Sequence, residues 1–206
     1  AESFLALVKE NPDNASYWTS LGDAYAKDSL LNYQEAKAAY ENALTLNPED
    51  DATWLSYGLN ELEGRVRGED QKDSRQAGDI RKGLDALARA VQINPRHHKA
   101  WLVKGNKEAL HGYPREAVAS FKQAYELKPS DVETLRCLML FDSDDTYYWV
   151  QKLLMQEPLH TEALERKGFI LMDRKDYSGA ISSFEKAGNT QMAAFVRKSR
   201  DLYKNY

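Results

Sequence analysis

The sequence predicts an all-α chain of tandem helix pairs. Five of its six prolines, Pro12, Pro48, Pro95, Pro129 and Pro158, each follow a short helical run that ends in a tetrapeptide such as Leu-x-Asn-Pro or Leu-x-Lys-Pro. A few residues after each proline comes a Trp or Leu, and in most cases a Gly four residues later. No stretch alternates apolar and polar residues as a half-buried strand would. A recurrence of this length marks a stacked array, whose surfaces bind rather than catalyse.

Aligned copies carry the argument. Trp18, Leu21, Gly22, Tyr25, Ala36, Tyr40, Ala43 and Pro48 stand in order in the first. Trp101, Gly105, Ala117, Phe121, Ala124 and Pro129 repeat them, and Leu164, Gly168, Leu171, Ala180, Phe184 and Ala187 do so again. This pattern resembles the tetratricopeptide repeat, W-x2-L-G-x2-Y followed by A-x3-F, an Ala and a closing Pro. The resemblance covers essentially the whole chain. It implies an α-solenoid, a right-handed superhelix of antiparallel helix pairs A and B. Small residues at Gly22, Gly105 and Gly168, faced by Ala36, Ala117 and Ala180, let B approach A closely. Trp18, Tyr40, Trp101 and Phe121 fill the space between helices, and proline stops helix B or opens the next unit.

The spacing divides the chain. Residues 1–12 read as a lone helix B, either a half repeat acting as a cap or the start of a piece of something longer. Repeats follow at 14–48, 51–95, 98–129, 132–158 and 161–189, and residues 190–206 form a capping helix with Ala193, Phe195, Val196 and Leu202. About twelve helices result: one, five pairs, and one. From Pro95 to Pro129 is 34 residues, the usual period, whereas Pro12 to Pro48 is 36, with the extra two around Ser29–Asn32. From Pro48 to Pro95 is 47, and the surplus lies in 64–82, which holds six basic and four acidic residues. That insert reads as a solvated loop or an extension of helix B from near Asp70; a lid or second contact surface is the alternative. The fourth repeat is short and has Met139 where glycine is expected. Its Asp142-Ser143-Asp144-Asp145 reads as a tight connection that supplies a polar N-cap to the next helix. A calcium loop would need Gly where Tyr147 stands and Glu where Leu153 stands.

Composition narrows the function. A net charge of −4 argues against a nucleic-acid binder. No run of eighteen apolar residues is present to insert into a membrane. The lone cysteine, Cys137, forms no internal disulfide, and it reads as a small apolar residue on helix A. His97, His98, His111 and His160 lack the i, i+4 pairing of a helical zinc site and read as solvated histidines at repeat junctions. No phosphate-cradling loop or catalytic grouping can be assembled, so we expect no enzyme activity, metal or cofactor. Cytoplasmic location is expected, with a periplasmic one as the alternative because the chain opens at Ala1 rather than Met.

The resemblance implies that helix A residues line a concave binding face. Counted from the anchor Trp or Leu, these are Ser16, Thr19, Ser20 and Asp23, then Ala52, Leu55, Ser56 and Leu59 with Leu62 beyond. Lys99, Leu102, Val103 and Asn106 follow, then Glu133, Arg136, Cys137 and Leu140. The last are Glu162, Glu165, Arg166 and Phe169, with Met172 beyond. We single out Thr19, Asp23, Leu55, Leu59, Leu62, Lys99, Leu102, Asn106, Arg136, Leu140, Arg166 and Phe169. The apolar middle suits an amphipathic helix or extended peptide of another protein. The alternative is that these leucines pack between neighbouring A helices. A carboxylate clamp for an acidic chaperone tail is rejected, because Leu102, Cys137 and Glu162 stand at three of its positions. The expected function is therefore a non-catalytic protein-interaction scaffold. Self-association through open array ends is one alternative. The other is the periplasmic repeat domain of a cytochrome c maturation factor, which the lone first helix, the insert and Asn94-Pro95-Arg96-His97-His98 resemble loosely.

Overall fold

A computed structural model describes residues 1–28, 32–63 and 75–203. Among them are twelve α-helices and no strand. They are α1 (Glu2–Glu10), α2 (Ala15–Asp28), α3 (Tyr33–Leu46), α4 (Asp51–Glu63), α5 (Arg75–Ile93) and α6 (His98–Leu110), followed by α7 (Pro114–Leu127), α8 (Val132–Phe141), α9 (Thr146–Gln156), α10 (Thr161–Asp173), α11 (Tyr177–Lys186) and α12 (Thr190–Tyr203). The all-α class and the tandem helix pairs of an α-solenoid are as the repeat predicts. Residues 75–82 of the insert extend the B helix α5. Residues 64–74, and the two surplus residues near Ser29, lie outside the described residues. The chain folds as two compact units, residues 1–120 and residues 121–206.

In the first two repeats the A helix meets its B helix where no side chain fits. A Cβ on Gly22 would stand 2.6 Å from Cε1 of Tyr40, which is 1% exposed. Glycine is what allows that ring to lie flat against α2. The second repeat goes further. Gly83 stands 12 residues before its closing proline (95 − 83), as Ala36 does (48 − 36). A Cβ on Gly58 would lie 2.9 Å from the Gly83 carbonyl oxygen. Two glycines thus bring the α4 and α5 backbones together. At the N-terminal end, Val8 of α1 packs with Leu21 and Ala39, so α1 covers α2 as a lone helix B would.

The tryptophan anchors have a second role. The indoles of Trp18, Trp54 and Trp101 donate to the carbonyls of Pro12, Pro48 and Pro95 at 2.7, 2.8 and 2.9 Å. Each ties an A helix to the turn before it. They are half-buried rather than wholly interior, and Trp18 packs against the core of Val8, Leu21 and Ala39. The interior places go to Tyr40 and Phe121.

In the second unit Phe184 lies over Gly168, where a Cβ would stand 2.7 Å from Cζ. Leu171, Ala180, Ile181 and Phe184 form a core with Ala193 and Val196 of α12. Phe195, expected on the apolar face of that helix, is 57% exposed instead. It follows Ala194 and precedes Val196, and α12 turns the face of Met192, Ala193 and Val196 inward. Met139 fills the position that glycine holds elsewhere and is fully buried.

The acidic turn of the fourth repeat is not the cap we expected. Asp145 stands at the N-cap of α9 without a side-chain cap bond. Asp142 is the structural residue. Its Oδ2 accepts from the Trp149 indole at 2.9 Å and lies 2.9 Å from Lys122 Nζ. Thr146 Oγ1 donates to the Asp142 carbonyl at 2.9 Å. Burial alone would raise the Asp142 pKa, but the Lys122 and Trp149 donors outweigh it and hold the carboxyl below its ordinary 3.8. A carboxylate held below its unfolded value stabilises the fold above that value and loses the contribution as pH falls through the folded one. Asp142→Asn should therefore destabilise the chain by about 1–3 kcal/mol at neutral pH. In urea titrations the gap to wild type should close as pH drops below the ordinary aspartate range; a gap independent of pH would count against this role.

Candidate functional site

The first unit aligns its A helices by polar ties. Thr19 Oγ1 of α2 lies 2.6 Å from Thr53 Oγ1 of α4. Asp51, at the start of α4, takes His97 Nδ1 at 2.7 Å and Asn94 Nδ2 at 3.1 Å. Glu63, at its end, accepts from Lys107 Nζ at 2.9 Å. Helices α4 and α6 therefore run side by side in the same direction. His97 is thus a tie between repeats rather than a solvated histidine. His160 is likewise engaged, accepting from the Ala163 amide at 3.3 Å as the N-cap of α10.

Between these ties lie the apolar candidates. Leu55 and Leu59 occupy one face of α4, four residues apart, and are half-buried. Leu102 of α6 is half-buried too, while Lys99 and Asn106 are exposed. Two candidates are committed elsewhere. Asp23 accepts the Tyr40 hydroxyl at 2.8 Å, and burial together with that carboxylate pushes the Tyr40 pKa up. Leu62 is 1% exposed and packs on Gly83, where a Cβ would lie 2.5 Å from its Cγ. It belongs to the core and not to an open groove. Beside it Glu61 is fully buried, with Lys37 Nζ 2.7 Å from Oε1 and the Tyr33 hydroxyl donating to Oε2 at 3.0 Å.

In the second unit Arg136 grips Glu133 with two bonds, of 2.6 and 3.0 Å. Leu140 is half-buried, a turn further on. Cys137 is buried, and burial, then Glu133, raises its pKa to about 11, which leaves the thiol protonated and inert. On α10 the four residues counted from the anchor converge. Glu162, Glu165, Arg166 and Phe169 line a cavity of about 370 Å³ with Thr146 and Ile170. Phe169 is 47% exposed and meets Phe184 edge-on with centroids 5.1 Å apart. Arg166 Nε lies 4.0 Å from Glu162 Oε1, and Glu165 accepts from Asn189 Nδ2 at 2.7 Å. Thr146 escaped the sequence reading because it starts a B helix, and counting from the anchor finds only A-helix residues. Among the described residues no three His, Cys, Asp or Glu side chains are grouped to hold a metal, and no helix is long and apolar enough to cross a membrane.

Two family models of the tetratricopeptide repeat match this chain, over residues 72–132 and 15–50. The chain belongs to the tetratricopeptide-repeat family. The mouse mitochondrial import receptor subunit TOM70 is 22% identical over 142 residues, 69% of this chain and 21% of the receptor. The human receptor subunit is 21% identical over the same length. This chain thus spans about a fifth of the length of these curated relatives. Among solved structures, YrrB superposes with a TM-score of 0.69 at 17% identity, covering 95% of this chain and 97% of its own. A thermophilic repeat protein of Thermus thermophilus, TTC0263, superposes with a TM-score of 0.58 at 24% identity, covering 79% and 84%. These repeat proteins share the fold.

The division between core and face can be measured. Leu62→Ala should cost about 2–5 kcal/mol, as core truncations do. Leu59→Ala, one turn away and half-buried, should cost about 1 kcal/mol. Equal losses in chemical denaturation would show that both leucines are core and that α4 offers no binding face.

Proposed function

We propose that this chain is a non-catalytic scaffold that holds a peptide or helix of another protein against its A helices. The observation that carries the reading is the cavity on α10, where an exposed aromatic ring is bordered by two glutamates and an arginine. An apolar floor with a charged rim suits a protruding side chain of a partner. Leu55, Leu59 and Leu102 support the reading in the first unit, since they are half-buried beside the exposed Lys99 and Asn106. The family agrees, and YrrB is described as a repeat protein with an unusual peptide-binding site. Nothing in these faces brings an acid, base or nucleophile together at a reacting centre.

A second reading, self-association, draws on α1, whose Phe4 and Leu5 are each 36% exposed. Mass that rises with concentration in analytical ultracentrifugation would favour it.

The scaffold reading is tested by selecting a displayed random-peptide library on the wild-type chain. Selected peptides should bind about tenfold or more weakly to Leu59→Arg/Leu102→Arg or to Phe169→Arg. Helical circular dichroism and melting should stay unchanged. Peptides that bind both folded variants as well as wild type would remove these faces as the site.

A further inference from the structure

The residue three places after each repeat anchor faces inward. It is Leu21 in the first repeat and Leu138 in the fourth, 2% and 0% exposed. In the second it is Tyr57. In the third and fifth it is a lysine, Lys104 and Lys167. An ammonium half-buried at such a place needs a counter-charge. Lys104 has one within the chain. Its Nζ donates to Glu108 Oε1 at 2.5 Å and to Ser120 Oγ at 2.9 Å, and Ser120 Oγ donates to Glu108 Oε2 at 2.6 Å.

The same offsets in the fifth repeat give a different set. Four residues after Lys104 is Glu108, but four after Lys167 is Leu171. Sixteen after Lys104 is Ser120, and sixteen after Lys167 is Ser183. The fifth repeat therefore keeps the lysine and the serine and lacks the carboxylate. Lys167 and Ser183 both line a cavity of about 380 Å³ between α9 and α11, floored by Leu154, Leu164 and Leu171 with Lys186 at its edge. Its one wall carboxylate, Asp176, is engaged as the N-cap of α11, its Oδ1 accepting from the Gly179 amide at 2.9 Å. Among the described residues neither Lys167 nor Lys186 forms an ion pair. The volume is that of a small-ligand site. Lys167 shares the face of α10 that carries Leu164 and Leu171, opposite the face of Glu162, Arg166 and Phe169. The cavity is thus separate from the proposed peptide face.

We infer that this cavity takes up a carboxylate on an apolar stem from outside the chain, the group that Glu108 supplies internally in the third repeat. The head is held by Lys167 Nζ, and by Ser183 Oγ once it turns from the Gly179 carbonyl, to which it donates at 2.8 Å. Lys186 adds positive charge at the mouth. The stem lies on Leu154, Leu164 and Leu171. Such a head gains charge-assisted hydrogen bonds in a partly dry site.

Two sources of this chemistry are tested by NMR titration of the whole chain. One is hexanoate, with hexanol as its uncharged control. The other is an acetylated pentapeptide ending in a leucine carboxylate, with its C-terminal amide as control. Saturable binding of hexanoate, the acid peptide or both is expected, with at least about tenfold weaker binding of the matching control. The acid that binds names the source. Lys167→Met should lose about tenfold or more of that affinity while melting no lower than wild type, since leucine serves at the equivalent positions. Leu171→Glu should likewise lose binding, because its own carboxylate completes the lysine and serine pair. Absence of saturable binding by either acid, or binding that Lys167→Met leaves undiminished, would overturn the site.

Discussion

The first, second and fifth repeats each depend on one crossing at which two helices meet without room for a Cβ. Gly22 lies under Tyr40, Gly58 against Gly83, and Gly168 under Phe184. The crossing fixes the distance between A and B. It also decides which ring or branched side chain lies between them, because a fully buried aromatic needs a flat partner. The tryptophan-to-proline bonds then set how each A helix leaves the preceding turn. Polar ties at Thr19, Asp51 and Glu63 align neighbouring A helices in the first unit.

Once these crossings are made, the remaining A-helix surface is free to vary. That freedom is where function lies in a repeat fold, since the backbone geometry no longer depends on it. In the first unit the free surface is a half-buried leucine face beside Lys99 and Asn106. In the second it is the rim of charge around Phe169. Variation also reaches the inward row, where leucine at two repeats gives way to lysine at two others. The third repeat answers that lysine with Glu108 and Ser120, and the fifth answers it with a serine and a cavity.

Much of this is legible in the sequence because the signals are local. The recurring prolines and glycines give the twelve helices, and the resemblance to the tetratricopeptide repeat, counted from the anchor, gathers Glu162, Glu165, Arg166 and Phe169 on one face. What could not be read depends on a partner across the crossing. Leu62 has the spacing of a groove residue, but Gly83, in the place of an alanine, opens the room that buries it. Asp142 is one of three aspartates in its turn, and only the positions of Trp149 and Lys122 set it apart from Asp145. Phe195 shares an apolar pattern with Val196, yet neighbours on a helix point apart and only one of them could face the core.

The most direct test of the crossing as the governing constraint is a double-mutant cycle at Gly168 and Phe184. Gly168→Ala alone should destabilise the chain by about 1–3 kcal/mol, because its methyl group would collide with the Phe184 ring. In a Phe184→Leu background the same change should cost nothing, or stabilise by up to about 1 kcal/mol through the better helix propensity of alanine. An equal cost in both backgrounds would mean that the glycine and the ring are not coupled, and that something other than close approach holds the pair of helices together.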